Sequence, residues 1–354
     1  MGVPSINISF IEKATNAIKR GSRGIVAIAI KEESEIKPFT VMTASDIPAS
    51  ITTDNADAIK KALIGYTNAP RKILVYVMSG SDVTENYKAM LKYFESAKWD
   101  YLAIPSVEDD GKTQDIVAAV KKWREGKKKV KAVLPNTAGD SEGIINVSSS
   151  AFIDTTEYPA AKLCPRIAGV IAGTGTNLSV TYAPLLEFTS CTSMTEDEMN
   201  TAVDEGKLIF MWDGDKVKIV RGVNSLHTLT DKKGSRHKKI KVIDTIDMIF
   251  DDIRKTVEDT YIGKYANTYG NKCVLIAAIN DYFSALVSEG VLGGGTCEID
   301  IDAQRKYLKQ KGIRVEDLSD DEIKQYPETE SYIFLKAKIS VLDAIEDIEL
   351  PIYL

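Results

Sequence analysis

The sequence predicts an α/β domain, with a mainly parallel sheet and helices on both of its faces, followed by an α+β domain, with an extended strand arm at each end of the chain. Three observations carry this expectation. Through the first half, short apolar runs alternate with amphipathic helical stretches, which is the rhythm of βαβ units. In the second half two long helical stripes precede strands of alternating apolar and polar residues. At the two ends, Ile6, Ile8 and Phe10 alternate with Asn7 and Ser9, and Ile348, Leu350, Ile352 and Leu354 alternate with Glu349, Pro351 and Tyr353. Alternation of that kind gives a pleated strand one apolar face.

The elements follow in chain order. Residues 24–30 form a continuous apolar strand. Residues 54–66 are helical, with Ile59, Leu63 and Tyr66 on one face, and residues 72–78 form the next strand. Asp82 opens a helix in which Glu85 completes a pairing like a capping box, and Val83, Tyr87, Met90, Leu91 and Phe94 recur at helical spacing. A strand over 101–104 ends at Pro105. A helix over 113–124 aligns Ile116, Val120 and Trp123, a strand over 130–134 ends at Pro135, and residues 144–147 add another strand. A stretch rich in Gly and Thr, 168–176, then leads through Pro184 to Phe188.

Beyond it the character changes. Thr195 with Glu198 is a capping box that opens a short helix. Residues 207–212 and 216–220 read as strands joined across Asp213-Gly214. Ile246, Phe250, Ile253, Val257 and Tyr261 stripe one long helix, and Leu275, Ile279, Phe283 and Leu286 stripe a second. Gly293, Gly294 and Gly295 break the chain. Cys297, Ile299 and Ile301 then alternate with Glu298, Asp300 and Asp302, and a helical turn or two and a polar loop lead to a long strand over 333–341. The open sheet of this part has room for extra strands. The expected division is 1–20, an N-terminal arm; 21–190, the α/β domain; 191–342, the α+β domain; and 343–354, a C-terminal arm.

A chain of 354 residues buries a sizeable core and more readily forms two domains than one. Hydrophobic content of 44% and charged content of 27% suit a water-exposed globular surface, and a net charge of −6 argues against general nucleic-acid binding. Basic clusters at Lys127–Lys129 and over 232–241, and acidic ones at 316–317 and 320–322, read as solvated faces or as complementary contacts between copies. Cys164, Cys191, Cys273 and Cys297 lie far apart, with no spacing that suggests a disulfide framework or a zinc site. The expectation is buried thiols. No secretory pattern opens the chain, and its apolar runs fall far short of the ~20 residues that cross a bilayer, so synthesis in a cytoplasm without membrane insertion is expected.

Chemistry has few players. The chain has two histidines, His227 and His237, and neither adjoins a nucleophile motif. The glycines Gly169, Gly173 and Gly175 lack the Lys-Ser/Thr ending of a phosphate-binding loop, so close backbone packing or a helix terminus explains them better. Asp109-Asp110 and Asp251-Asp252 are expected to be solvated. No catalytic residue, cofactor or metal site is assigned. For the two terminal strands, pairing within their own domain and donation to the sheet edge of another copy are both open on the residues alone.

One set of motifs narrows the choice. Lys216-Val-Lys-Ile-Val-Arg221-Gly-Val-Asn-Ser-Leu226 resembles the strand and "RGVNSL" motif of contractile tail sheath proteins of bacteriophages and phage-tail-like bacteriocins. Tyr261-Ile-Gly263-Lys264 with Asn267 resembles that family's "YIGK…N" segment, and residues 167–172 its "AGxxA" stretch. His227 departs from the threonine often found there. The compact length is similar to sheaths of R-type bacteriocins of the diffocin kind.

The resemblance implies a subtilisin-like topology without its catalytic residues. It also implies stacked six-fold rings around a tail tube, and contraction that drives the tube through a cell envelope. The implied partners are other copies, the tube protein, and baseplate and terminator proteins, with no nucleic acid. Ile6, Ile8, Phe10, Ile348, Leu350, Ile352 and Leu354 would then be inter-subunit linkage residues received near 298–302 or 332–341, with hinges at Gly21 and Ser22 and at Asp343 and Ala344. The basic segment over 232–241 and the helices of the second domain would be candidates for tube contact. Two rivals stand beside this reading: a nucleotide-binding α/β enzyme, and the sheath of a secretion-type injection machine.

Overall fold

A computed structural model describes residues 17–327 and 329–353. By contacts the chain divides into two units, one holding Gly21–Met248 with residues 342–353 and the other Ile249–Val341 with residues 17–20.

In the larger unit the chain runs through β1 (Ile25–Lys31), β2 (Phe39–Val41), α1 (Thr53–Ile64), β3 (Lys72–Met78), α2 (Val83–Ser96), β4 (Tyr101–Ala103), α3 (Thr113–Glu125), β5 (Lys131–Pro135) and β6 (Ile144–Val147). It continues through β7 (Ala151–Ile153), β8 (Thr156–Tyr158), α4 (Ala160–Ala172), β9 (Ser190–Cys191), α5 (Glu196–Asp204), β10 (Lys207–Leu208), β11 (Phe210–Trp212) and β12 (Val217–Ile219). Helix α6 (Ile240–Thr256) crosses the boundary between the units.

A seven-stranded sheet in the order β10-β6-β5-β4-β1-β3-β2 forms the frame, parallel throughout except for β2. Both faces are covered. Val26, Ile28 and Ile30 of β1 join the core that contains Ile59 of α1 and Leu163 and Ile167 of α4. Ile25, Ala27 and Ala29 join the core that contains Tyr87, Met90 and Phe94 of α2 and Ile116 and Val120 of α3. Burial on both sides is why β1 reads as an unbroken apolar run rather than an alternation. The start signals also hold: Asp82 accepts the Glu85 amide, and Thr195 and Glu198 cap each other.

Helix α4 is absent from the sequence expectations. Leu163, Cys164, Ile167, Ala168, Val170 and Ile171 are all buried, and its polar side is only Lys162 and the buried Arg166. Pro165 inside it reads as a break. The glycines at its end act by backbone approach, as expected: a Cβ on Gly169 would lie 2.0 Å from the Ala62 carbonyl oxygen of α1, and one on Gly173 2.0 Å from that of Asn68. Residues 207–212, expected as one strand, split at Ile209. β10 extends the main sheet beside β6, and β11 pairs with β12. Because β10 belongs to this sheet, the contact boundary lies at Met248/Ile249, where the sequence suggested 190/191.

A buried ionic cluster joins α3, β5 and α6. Asp247, 1% exposed, lies 2.9 Å from Arg124 Nη1 and 2.6 Å from Lys131 Nζ. Lys131 also meets Asp244 at 2.9 Å, and Arg124 meets Glu142 at 3.4 Å. Burial pushes the Asp247 carboxyl up, but the charges of Lys131 and Arg124 outweigh it and hold it below the usual range.

The smaller unit contains the end of α6, a π turn over Val257–Tyr261, α7 (Tyr269–Ser288), β13 (Leu292–Ile299), α8 (Ile301–Gln310), α9 (Asp320–Gln325) and β14 (Leu335–Val341). The expected stripe of α7 is buried as read: Leu275, Ile279, Phe283 and Leu286. In α6 the expected Ile246, Phe250 and Ile253 are only half-buried, and the buried residues are 240–243, Thr245, 247–249, Asp252 and Thr256. Polar residues on the buried face hid it from the periodicity.

Gly293–Gly295 do not break the chain but lie inside β13, with a register irregularity between Leu292 and Gly294, and a Cβ on Gly295 would sit 3.0 Å from the Phe283 ring. Two aspartates expected to be solvated are not. Asp252 accepts the Tyr282 hydroxyl at 2.8 Å in the interior, and Asp110 accepts Tyr87 Oη at 2.8 Å and Ser106 Oγ at 2.9 Å. Asp109 is exposed, as expected.

Candidate inter-subunit linkage surfaces

In the smaller unit β13 and β14 form a two-stranded antiparallel sheet with Thr296 opposite Lys338, Cys297 opposite Ala337 and Glu298 opposite Lys336. Side chains alternate across it. Thr296, Glu298, Lys336 and Lys338 share one face, where Lys336 Nζ lies 3.2 Å from Glu298. Cys297, Ile299, Leu335, Ala337 and Ile339 share the other, on which Cys297 and Ile299 are buried while Ala337 stays exposed. The two edges differ. Asn280 of α7 takes both backbone groups of Cys297: its Oδ1 accepts the amide at 2.6 Å and its Nδ2 donates to the carbonyl at 3.1 Å. An amide side chain thus occupies the middle of the outer edge of β13, where a strand would otherwise bond.

The C-terminal segment has no regular secondary structure over residues 342–353. Ile348, Leu350 and Ile352 are 79%, 75% and 76% exposed. Leu354 lies outside the described residues, as do Ile6, Ile8 and Phe10.

The root of this segment is firmly held on the larger unit. The Glu346 side chain, 4% exposed, accepts Thr181 Oγ1 at 2.6 Å, Ser179 Oγ at 3.1 Å and Lys239 Nζ at 2.8 Å. Asp343 lies 2.6 Å from the same Lys239, and Asp347 pairs with Arg221. Burial alone would depress the Lys239 ammonium, but its bonds to Asp343 and Glu346 hold it above its ordinary value.

These anchors escaped the sequence analysis. Their signal was a set of acids, Asp343, Glu346 and Asp347, ahead of the apolar alternation, with Arg221 inside a quoted motif. The rest of that motif is a knot of bonds. Asn224 Nδ2 donates to the His237 carbonyl at 2.8 Å, the Leu226 amide donates to Asn224 Oδ1 at 3.0 Å, and Ser225 Oγ donates to the Ser141 carbonyl at 3.1 Å. Asn267 of the second motif similarly donates to Thr329 Oγ1 and to the carbonyls of Glu330 and Tyr332, tying down the approach to β14.

At the expected N-terminal hinge, Lys19 donates its amide to Thr256 Oγ1 at 3.1 Å and Arg20 pairs with Glu289. Gly24, not Gly21, takes the positive φ in this region, at 76°. In the basic segment Lys233 is paired with Glu142 at 2.8 Å, and Lys241 is buried and donates to the Asn177 carbonyl at 3.1 Å. With Lys238, which donates to the Asp204 carbonyl at 3.2 Å, and Lys239, four of its lysines therefore meet partners within the chain.

Features that would favour an enzyme are weak. His227 Nδ1 lies 3.3 Å from Asp140 on the surface, while Ser225 Oγ is committed to Ser141. The cavity beside Gly175 and Thr176 measures ≈ 70 Å³, room for a few waters rather than a nucleotide. Among the described residues no group of His, Cys, Asp and Glu is placed to hold a metal, and no helix is long and apolar enough to cross a membrane.

Comparison with known proteins agrees with this geometry. The family model of the phage tail sheath protein central domain matches residues 80–225, and that of the phage tail sheath C-terminal domain matches residues 232–322. The tail sheath protein of Clostridium phage phiCD119 is 36% identical over 359 residues, covering 99% of this chain and 99% of that one. Among solved structures, the sheath tail protein of Desulfitobacterium hafniense matches with a TM-score of 0.71 at 19% identity, covering 84% of this chain and 94% of that one. The anti-feeding prophage helical sheath in its contracted state matches with a TM-score of 0.72 at 13% identity, covering 100% of this chain and 99% of that one. The fold is thus that of the sheath proteins of contractile particles. The chain belongs to the phage tail sheath family, and it is a structural subunit of a contractile tail sheath.

Proposed function

We propose that the protein polymerises as stacked six-fold rings around a tail tube by lending terminal strands to neighbouring copies, and that contraction of this lattice drives the tube through a cell envelope. The observation that carries the reading is a mismatch within one chain. Ile348, Leu350 and Ile352 form an exposed apolar alternation tethered to a folded unit, and among the described residues the two-stranded β13–β14 sheet leaves a strand edge unpaired by backbone. Donor and acceptor satisfy each other only between copies or by a rearrangement within one, and β-augmentation meets both needs at once. The N-terminal residues Ile6, Ile8 and Phe10 serve as a second donor, and Leu354 completes the C-terminal one.

Contraction is a rigid-body repacking that draws its energy from interfaces gained, without catalysis, cofactor or metal. Its hinges are Gly21 and Ser22 and the stretch at Asp343 and Ala344, where the bond of Asp343 to Lys239 leaves the freedom on the Val341/Leu342 side. Of the three chain crossings between the units, the two that lie outside a helix, at Arg20/Gly21 and Val341/Leu342, support that placement. The α/β unit has a subtilisin-like topology that carries no subtilisin chemistry. The tube protein, baseplate and terminator proteins are the other partners, in a phage tail or an R-type bacteriocin made in a bacterial cytoplasm.

Deleting residues 347–354 tests the linkage. The truncated chain is expected to fold and to sediment as an unpolymerised subunit. Tubes of full length by negative-stain electron microscopy would refute strand donation by this arm.

A further inference from the structure

We infer that the C-terminal arm of one copy pairs antiparallel with β14 of another, at its edge away from β13, in one register: Ile348 opposite Ile339, Glu349 opposite Lys338, Leu350 opposite Ala337 and Ile352 opposite Leu335. The inference rests on the strand-donation reading above and specifies its edge, direction and charge pairing.

Three observations select this arrangement. The first is which edge is open. Asn280 already satisfies the outward amide and carbonyl of Cys297, so the middle of β13's outer edge is closed. In an antiparallel pair, residues alternate between turning both backbone groups to the partner and turning both away. With Cys297 facing Asn280, Thr296 and Glu298 ladder to Lys338 and Lys336, and the backbone groups of Leu335, Ala337 and Ile339 point away from β13. Among the described residues, those groups are the open template.

The second is Pro351, which has no amide to donate. Apolar residues of the arm belong on the sheet face that carries Leu335, Ala337 and Ile339. In an antiparallel pairing, arm residues opposite those three turn their backbone groups to β14, so Ile348, Leu350 and Ile352 make the ladder and Pro351 turns outward, where its missing N–H costs nothing. A parallel pairing on the same face would turn Glu349 and Pro351 to β14 and lose a bond at the proline. The arm is then an edge strand whose proline also discourages a further strand beside it.

The third is charge. Glu349 falls on the face of Lys336 and Lys338. Lys336 is already paired with Glu298 at 3.2 Å, whereas Lys338 faces the uncharged Thr296, so Glu349 belongs opposite Lys338. A shift of two residues towards Leu335 would crowd Glu349 and Glu298 around one lysine, and a shift the other way would set Glu349 against Ser340 and leave Lys338 without it. The N-terminal alternation carries Asn7 and Ser9 at the equivalent places and has no charge for Lys338.

Cross-linking in sheath assembled from the full chain tests the register. Glu349 and Lys338 form a pair with no backbone bonds between them, the closer of the two antiparallel pair types and suited to a disulfide. Lys338→Cys with Glu349→Cys is expected to give, on mild oxidation, a ladder of covalent multimers absent from either single variant and from Lys336→Cys with Glu349→Cys. As a second readout, Lys338→Glu is expected to lose assembly, and Lys338→Glu with Glu349→Lys to regain it. A ladder through position 336 instead would overturn the register. No ladder through either position, with deletion of residues 347–354 still abolishing assembly, would overturn the choice of edge and leave strand donation standing. Normal assembly of the deletion would overturn strand donation by this arm.

Discussion

Asp247→Asn keeps the shape of a buried side chain and removes its charge. In the native chain that carboxylate neutralises Arg124 and Lys131, both almost fully buried. Without it each cation keeps only a partial substitute: Glu142 at 3.4 Å for Arg124 and Asp244 at 2.9 Å for Lys131. Breaking one side of a buried ion pair costs roughly 3–5 kcal/mol, and the two surviving contacts place this case at the lower end, about 3 kcal/mol. For a unit of this size that is a drop in melting temperature of about 6–12 °C. Differential scanning calorimetry at neutral pH measures it directly. The pH dependence adds a second constraint. The Asp247 carboxyl is held below its unfolded value, so its stabilisation is complete above the unfolded pKa, near 4, and is lost as pH falls through the folded one. The gap between wild type and variant should therefore be full at pH 7 and shrink as the solution is acidified below about pH 4. A variant that melts with the wild type at pH 7, or a gap that widens on acidification, would refute the assignment of this cluster as a net electrostatic contributor.

Gly169→Ala would place a methyl 2.0 Å from the backbone oxygen of Ala62, a contact relieved only by separating α1 from α4. A loss of about 3 kcal/mol is expected as a lower urea midpoint at unchanged slope. Gly270→Ala, whose Cβ would meet nothing within 4 Å, is the neutral control. Glu346→Ala should free the arm root without unfolding the unit. It removes three hydrogen bonds but leaves Lys239 paired with Asp343, so about 2 kcal/mol of local anchoring is lost, roughly a 30-fold rise in the released population. A spin label at Ile345→Cys should become as mobile as one at Ile352→Cys while the melting temperature holds. An unchanged spectrum would mean that other contacts hold the root.

The parallel sheet was legible because its strands and helices each carry one simple period. β3 spans the residues read for it, the stripe of α3 is buried, and that of α2 is buried at Tyr87, Met90 and Phe94 and half-buried at Val83 and Leu91. Legibility failed where burial ceased to be one-sided. Helix α4 is buried over nearly its whole length and carries Pro165 in its interior, which reads as a break, and α6 hides Asp247, Thr245 and Asp252 on its buried side. The glycines of β13 looked like a break because glycine disfavours strands, yet Gly295 is needed where the Phe283 ring comes close. At the linkage site the alternation of Ile348, Leu350 and Ile352 was readable, whereas the clamp was not. Glu346, Ser179, Thr181 and Lys239 come from three distant parts of the chain, and only the fold brings them together.

The clamp bears on what kind of lattice the chain builds. In the proposed linkage the donor strand is rooted on the Gly21–Met248 unit through Glu346, Asp343 and Asp347, while the acceptor edge is β14 of the Ile249–Val341 unit. Donor and acceptor are different surfaces, so each copy that gives a strand still has its own edge unfilled. A pairing of that kind is heterologous and continues from copy to copy, whereas a self-complementary patch would stop at a dimer. The same division separates the two demands of a contracting lattice. On the proposed linkage, main-chain bonds along β14 would hold copies together in any state, and motion would be left to the two crossings outside helix α6, at Arg20/Gly21 and Val341/Leu342. A root that was not pinned would let the arm absorb the movement of its neighbour. Pinning it at Glu346 means that displacement of one copy is passed to the unit that owns the arm, which is how a sheath could contract as a wave rather than as independent subunits.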